Sequence, residues 1–218
     1  SDLAPVDLDG DGRIDRLYVG DLNGRMWRFN IGDLNGNGNS DPDEWTTKMI
    51  FKSNPGSTEK RRIFYPPDVT LEKDSTGEYE MLFFGTGDRE DPKGDKDVDR
   101  IYAFKDKNAS TTKGEADLVN VTGFYELSAG EQAAKLDDIE AGYGWYIILD
   151  KKLGEKCLAS PVVYYKTAYF TSFSPSTEAI ADPCFVGEGT ASLYAVNYGT
   201  GEAVFNLDLT NDTEGNIV

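Results

Sequence analysis

Histidine is absent from this 218-residue chain. Its absence excludes histidine-based triads, imidazole general bases and His-ligated zinc or iron. Carboxylates, lysine and tyrosine are left as the groups able to move protons, and the expectation is a protein that is not an enzyme. Cysteine is scarce: Cys157 and Cys184 are the two in the chain and stand too far apart for a C-x-x-C motif. In an acidic chain of this kind the favoured reading is one disulfide in an oxidising compartment, with two unrelated buried thiols as the alternative. No run of eighteen apolar residues occurs, which predicts no membrane-spanning helix. Basic residues are also few, 22 against 39 acidic, for a net charge of −17. That balance opposes binding to nucleic acid or anionic membranes and favours cations. The chain opens on Ser1-Asp2 with neither initiator Met nor signal peptide, so the expectation is a piece of a longer exported protein.

The acid is not evenly spread. Asp7-Leu8-Asp9-Gly10-Asp11-Gly12-Arg13-Ile14-Asp15 places a side-chain oxygen at alternate positions and two glycines where the backbone must turn around an ion. Calcium takes six to eight oxygen ligands, and loops of the EF-hand kind supply them from positions 1, 3, 5, 7 by carbonyl, and 9. Here those positions are Asp7, Asp9, Asp11, the Arg13 carbonyl and Asp15. Position 12 is Tyr18, so Asp15 is expected to close the site, and no flanking helices are expected. The rhythm returns in Asp33-Leu34-Asn35-Gly36-Asn37-Gly38-Asn39-Ser40-Asp41, with Glu44 at position 12. The ligand set expected there is Asp33, Asn35, Asn37, Asn39, Asp41 and Glu44, and its lower charge predicts weaker calcium binding. Such Asp/Asn/Gly runs also serve as plain polar turns. Four carboxylates in the first loop, however, would repel one another without a cation. The charged stretch 86–98, with Asp88, Glu90, Asp91, Asp95 and Asp97, is diluted by lysine and arginine and reads as a solvated loop, a third cation site being the alternative.

Between the two loops, Leu17-Tyr18-Val19-Gly20 and Arg25-Met26-Trp27-Arg28-Phe29 flank Asn23-Gly24, a strong hairpin signal. Both loops then fall at the open end of one hairpin. Three stretches share a plan: Leu17-Tyr18-Val19-Gly20 leads to Met26-Trp27-Arg28-Phe29, Leu82-Phe83-Phe84-Gly85 to Ile101-Tyr102-Ala103-Phe104, and Ala168-Tyr169-Phe170-Thr171 to Leu193-Tyr194-Ala195-Val196. One helical window stands out at 128–139, where Ser128 and Glu131 form a capping box. Repeated strand units with unequal loops and one short helix predict an all-β, propeller-like single domain over 1–218, partial or modified, of about four to five blades at 40–50 residues each. A β-sandwich is the runner-up.

The run Ala4-Pro5-Val6-Asp7-Leu8-Asp9-Gly10-Asp11-Gly12, continued by Gly20-Asp21-Leu22-Asn23-Gly24-Arg25-Met26-Trp27-Arg28-Phe29, resembles the C-terminal domain of the PilY1 family of type IV pilus proteins. The same order is kept by Phe84-Gly85-Thr86-Gly87-Asp88-Arg89, Gly144-Trp145-Tyr146, Ser160-Pro161-Val162-Val163 with Tyr169-Phe170-Thr171, and Asp182-Pro183-Cys184 before Leu193-Tyr194-Ala195-Val196. The resemblance implies a modified β-propeller at the pilus tip or outer surface, an adhesive role, and calcium that regulates pilus extension and retraction. It implies pilus-tip or minor-pilin components and a host or surface receptor as partners. The implied location is exported: the bacterial cell surface, the pilus tip, or the outer membrane and periplasm. The family's calcium loop carries over onto Asp7, Asp9, Asp11, Arg13 and Asp15; the second loop does not carry over, and this chain is shorter than the family's domain. Two competing readings are a propeller whose calcium is purely structural and a quinone-cofactor dehydrogenase-like propeller. The latter rests on Leu193-Tyr194-Ala195-Val196-Asn197 with Thr200-Gly201, and it lacks the adjacent cysteine pair that many such enzymes present.

Overall fold

The structure is a computed structural model that describes residues 1–33, 41–53, 61–94, 96–176 and 189–204. In chain order the strands are β1 (Ala4–Val6), β2 (Arg16–Gly20), β3 (Arg25–Asn30), β4 (Thr46–Lys52), β5 (Asp68–Asp74), β6 (Gly77–Gly85) and β7 (Arg100–Asp106). There follow β8 (Lys113–Gly114), β9 (Val119–Asn120), the helix α1 (Ala129–Ala141), β10 (Gly144–Ile148), β11 (Lys156–Cys157), β12 (Val162–Tyr164), β13 (Thr167–Ser174) and β14 (Thr190–Asn197). They assemble into three sheets: β1-β2-β3-β4-β8, then β5-β6-β7-β10-β9, and last β13 flanked by β14 on one side and by β12 and β11 on the other. The fold is therefore all-β and propeller-like, with one helix and sheets that do not close into a ring. Among the described residues three sheets stand where chain length suggested four or five. The reason is that the first two sheets each take a fifth, two-residue strand (β8, β9), and α1 with the long charged loop adds length without adding a blade.

The repeat read from the sequence is the second and third strand of each sheet: β2–β3, β6–β7 and β13–β14 pair antiparallel. Strand side chains alternate between the two faces of a sheet, and the middle sheet uses both. Leu82, Phe84, Tyr102 and Phe104 meet Tyr18, Met26, Ile50 and Phe51 of the first sheet. Met81, Phe83, Ile101, Ala103 and Trp145 meet Ala168, Phe170, Tyr194 and Val196 of the third. This double burial explains why β6 and β7 read as continuous apolar runs instead of alternating ones. Each such side chain taken fully out of water contributes roughly 1.5–3 kcal/mol. Phe51 makes edge-type contacts at 5.6 Å with Phe84 and 5.2 Å with Tyr102, while Phe84 and Tyr102 stack at 5.1 Å.

The first strands of the three sheets line the inner side, β1 touching β5 and β5 touching β12. Pro5 is compatible with β1 because an edge strand tolerates a missing donor. Buried charge ties the first two sheets together: Arg28 Nη1 donates to both oxygens of Asp106 at 3.0 and 2.8 Å, and the Tyr18 hydroxyl donates to Asp106 Oδ2 at 3.0 Å. The helix starts where the capping box required, with Glu131 N donating to Ser128 Oγ and Ser128 N to Glu131 Oε2. Among the described residues no helix is long and apolar enough to cross a membrane.

Candidate metal centre

The loop over residues 7–15 joins β1 to β2 and has no helix on either flank. Its backbone is shaped by two left-handed glycines, Gly10 at φ 77° and Gly12 at φ 85°. Residues other than glycine rarely adopt that conformation. Gly12 is the sixth residue of the loop, where EF-hand loops keep a glycine for the sharp turn. The turn wraps around the first ligand position: Asp7 Oδ1 accepts from Gly10 N at 2.7 Å and Asp7 Oδ2 from Gly12 N at 2.8 Å. Donation to the ionised form holds the Asp7 carboxyl below the usual carboxylate range, the Gly12 amide being the largest cause.

Asp15 closes the loop from the other end. Its Oδ2 accepts from Leu8 N at 2.7 Å, and its own N–H bonds the Val6 carbonyl at 2.9 Å. One carboxylate oxygen from each of Asp7, Asp9 and Asp15 lies within 4.8 Å of the others, so one divalent cation can touch all three. Hard carboxylate oxygens suit calcium. Asp11 stands outside this group: its Oδ1 accepts from Arg13 N at 2.8 Å, and the Arg13 guanidinium lies 3.9 Å from its Oδ2. Of the four carboxylates expected to converge, the structure brings those of Asp7, Asp9 and Asp15 together. Asp11 accepts from the local turn in the same way that Asp9 Oδ1 accepts from Asp11 N at 3.0 Å.

Both legs of the loop are anchored. Leu8 packs against the core between the first two sheets, and Arg16 Nη1 donates to Glu80 Oε1 of β6 at 2.5 Å. The hairpin end beside it is also fixed, since the Asp15 carbonyl accepts from Ile31 N at 2.7 Å and Gly32 N at 3.0 Å. A Cβ at position 32 would collide with Asp15 Oδ1, so the chain just beyond β3 approaches Asp15 as closely as glycine allows. This is the open hairpin end at which both loops were expected. Of the second loop, Asn35, Asn37 and Asn39 lie outside the described residues. At its far end Asp41 Oδ1 accepts from Asp43 N at 3.0 Å and caps the short 3₁₀ turn Pro42–Glu44.

The other sequence candidates fall elsewhere. Cys157 is buried against Gly85, and burial pushes its thiol up to about 12. Cys184 lies outside the described residues, and so therefore does the proposed pairing. In the charged stretch 86–98, Arg62 bridges Asp88 at 2.6 Å and Asp97 at 3.8 Å. Among the described residues its acids form no three-carboxylate group. Asp99, just beyond it, is buried and accepts from the Thr86 hydroxyl at 2.8 Å; burial pushes its carboxyl up to about 7. Sequence reasoning passed over that residue, since nothing in Val98-Asp99-Arg100 distinguishes it from its solvated neighbours.

Fold and site together define an open, propeller-like β domain carrying an acidic turn on its innermost strand. No protein-family model matches the chain, and no curated protein matches it. Among solved structures, the crystal structure of the Pseudomonas aeruginosa PilY1 C-terminal domain is similar over 98% of this chain, with a TM-score of 0.64 at 16% identity. The chain spans 50% of the length of that structure. The likeness is one of fold.

Proposed function

We propose that this chain is a calcium-binding, non-catalytic domain of a type IV pilus-associated surface protein, in which the loop over 7–15 takes the ion through Asp7, Asp9, Asp15 and the Arg13 carbonyl. The observation that carries the reading is the three-carboxylate group within 4.8 Å, held on two left-handed glycines. Its association with pili rests on similarity of fold and on the motifs shared with the PilY1 family. Export to the cell surface, pilus-tip or minor-pilin partners, and adhesion to a receptor belong to the same proposal.

The anchoring gives calcium a mechanical consequence. Three carboxylates this close repel one another at a range that salt screens poorly. An ion among them cancels the repulsion and stiffens the turn from β1 to β2. Leu8 and Arg16 pass that order into the first two sheets, and Asp15 passes it to residues 31–32. Calorimetric titration of metal-free protein tests the reading. The expected result is one binding event lost in Asp15→Ala and retained in Asp11→Ala, because only Asp15 belongs to the converging group. Equal loss in both variants, or no heat in the wild type, contradicts it.

A further inference from the structure

The face that the first sheet turns to the second carries two guanidiniums among its apolar side chains. Strand alternation puts Arg16 on the side of Tyr18 in β2 and Arg28 on the side of Met26 in β3. The second sheet answers with Glu80 on β6 and Asp106 on β7, which stand directly opposite each other in register. Like charges in such a cross-strand pair destabilise a sheet, so the two arginines are what lets these acids stand together. One pair is closed: Arg28 donates to both oxygens of Asp106, the Tyr18 hydroxyl donates to one of them, and the two charged side chains are 4% and 3% exposed. The other is more open. Arg16 Nη1 donates to Glu80 Oε1 at 2.5 Å, with side-chain exposures of 18% and 7%.

This second pair adjoins the metal centre. Arg16 directly follows Asp15, the residue that closes the loop over 7–15, with neighbouring Cα atoms about 3.8 Å apart. One cleft is lined by Leu8 and Arg16 from the two legs of the loop and by Glu80 and Asp106 from the second sheet. A guanidinium is always charged and matches a carboxylate in geometry, so a released Arg16 would compete with the ion for Asp15. Glu80 holds that charge on the far side of the cleft and cancels it. With both pairs intact, Arg16, Arg28, Glu80 and Asp106 sum to zero, and the field of Asp7, Asp9 and Asp15 is left to the cation.

We infer that, given calcium at the loop over 7–15 as proposed above, Glu80 is a positioning residue for the metal centre: it restrains and neutralises Arg16, and the net charge of the Arg16–Glu80 pair sets the calcium affinity. The coupling is reciprocal, so calcium strengthens this bridge between the first two sheets by the same factor as the bridge strengthens calcium binding.

The test is calorimetric titration of calcium into the 218-residue protein at about pH 8, where carboxylates are ionised. Glu80→Gln, Arg16→Met and the double variant all lose the bridge, and they differ in net charge: one unit more positive, one more negative, and unchanged. Affinity is expected to be highest in Arg16→Met, intermediate in the double variant and lowest in Glu80→Gln, with about tenfold between the extremes. Raising the salt from about 0.1 M to about 1 M shortens the screening length from roughly 10 Å to 3 Å and should narrow that gap. Glu80→Met repeats the comparison with no polar group at position 80, since apolar replacements of buried ion pairs are commonly tolerated, and urea unfolding without calcium confirms that each variant is folded. A wild type that binds no calcium overturns the metal centre and this inference together. A wild type that binds, with the three variants equal, in the reverse order, or separated by a gap that salt leaves unchanged, overturns the inference alone: the pair is then only an anchor for the loop.

Discussion

Two acidic stretches of this molecule have similar composition and opposite fates. The loop over 7–15 gathers three carboxylates and gives them backbone amides as partners. The stretch over 86–99 sets its acids against cations: Arg62 bridges Asp88 and Asp97, and the Lys156 ammonium lies near buried Asp99. Amides orient a carboxylate and leave its charge in place, whereas guanidinium and ammonium groups cancel it. Counting acids therefore does not find a cation site. What distinguishes the first loop is the pair of left-handed glycines that turn the chain around its own side chains.

The sharpest way to break this comparison is to remove one acid from each stretch. Asp15→Ala should weaken calcium binding by at least about tenfold, the lower range seen when groups supporting a metal site are lost, while Asp88→Ala should leave it within experimental error by calorimetry. Gly32→Ala should act nearly as strongly without changing any charge, because the new methyl displaces Asp15 Oδ1. An unchanged affinity in Gly32→Ala would mean that Asp15 is not a ligand.

Removing the cation from the other stretch should cost stability instead. Arg62 and Asp88 are each about four-fifths buried in their side chains, so Arg62→Ala leaves two acids facing each other. The expected loss is about 1–3 kcal/mol by urea unfolding, between surface and buried pairs. Arg13→Ala in the first loop, where the pair is exposed at 3.9 Å, should change stability by less than about 0.5 kcal/mol.

Asp99 supplies a pH-dependent difference. Burial raises its folded-state pKa to about 7, above its ordinary 3.8. The folded protein then holds a proton that the unfolded chain gives up. Its contribution is complete below about pH 4 and is lost as pH rises towards 7, at most about 1.4 kcal/mol per pH unit. Asp99→Asn should flatten the decline in stability between pH 4 and 7, measured by denaturant melts. A slope unchanged by the substitution would remove Asp99 as its source.

Legibility in the sequence followed how local each feature is. The turn over 7–15 could be read because its carboxylates are near neighbours in the chain, and the Asn23-Gly24 hairpin and Ser128/Glu131 capping box because each is decided within a few residues. The repeat shared by β2–β3, β6–β7 and β13–β14 was also visible, since facing sheets impose the same apolar pattern three times. Strand β1 was not, because three residues containing Pro5 carry no periodicity. Strands β8 and β11, two residues each, are fixed by what they pair with and not by their own composition. That Asp11 lies outside the three-carboxylate group is a matter of side-chain placement, which alternate spacing alone does not specify. Cys157 illustrates the same limit: its burial is tertiary, and its proposed pairing involves Cys184, outside the described residues.

Amide hydrogen exchange with and without chelator tests the central claim most directly, because it locates the ion's effect along the chain. Segments that bind the ion lose that stabilisation when it is removed, and others do not. The account predicts faster exchange after chelation across residues 7–20 and 25–32, with β13 and β14 as protected as before. A uniform rise over all three sheets would make calcium a staple of the whole fold. No change in residues 7–20 would contradict binding at this loop.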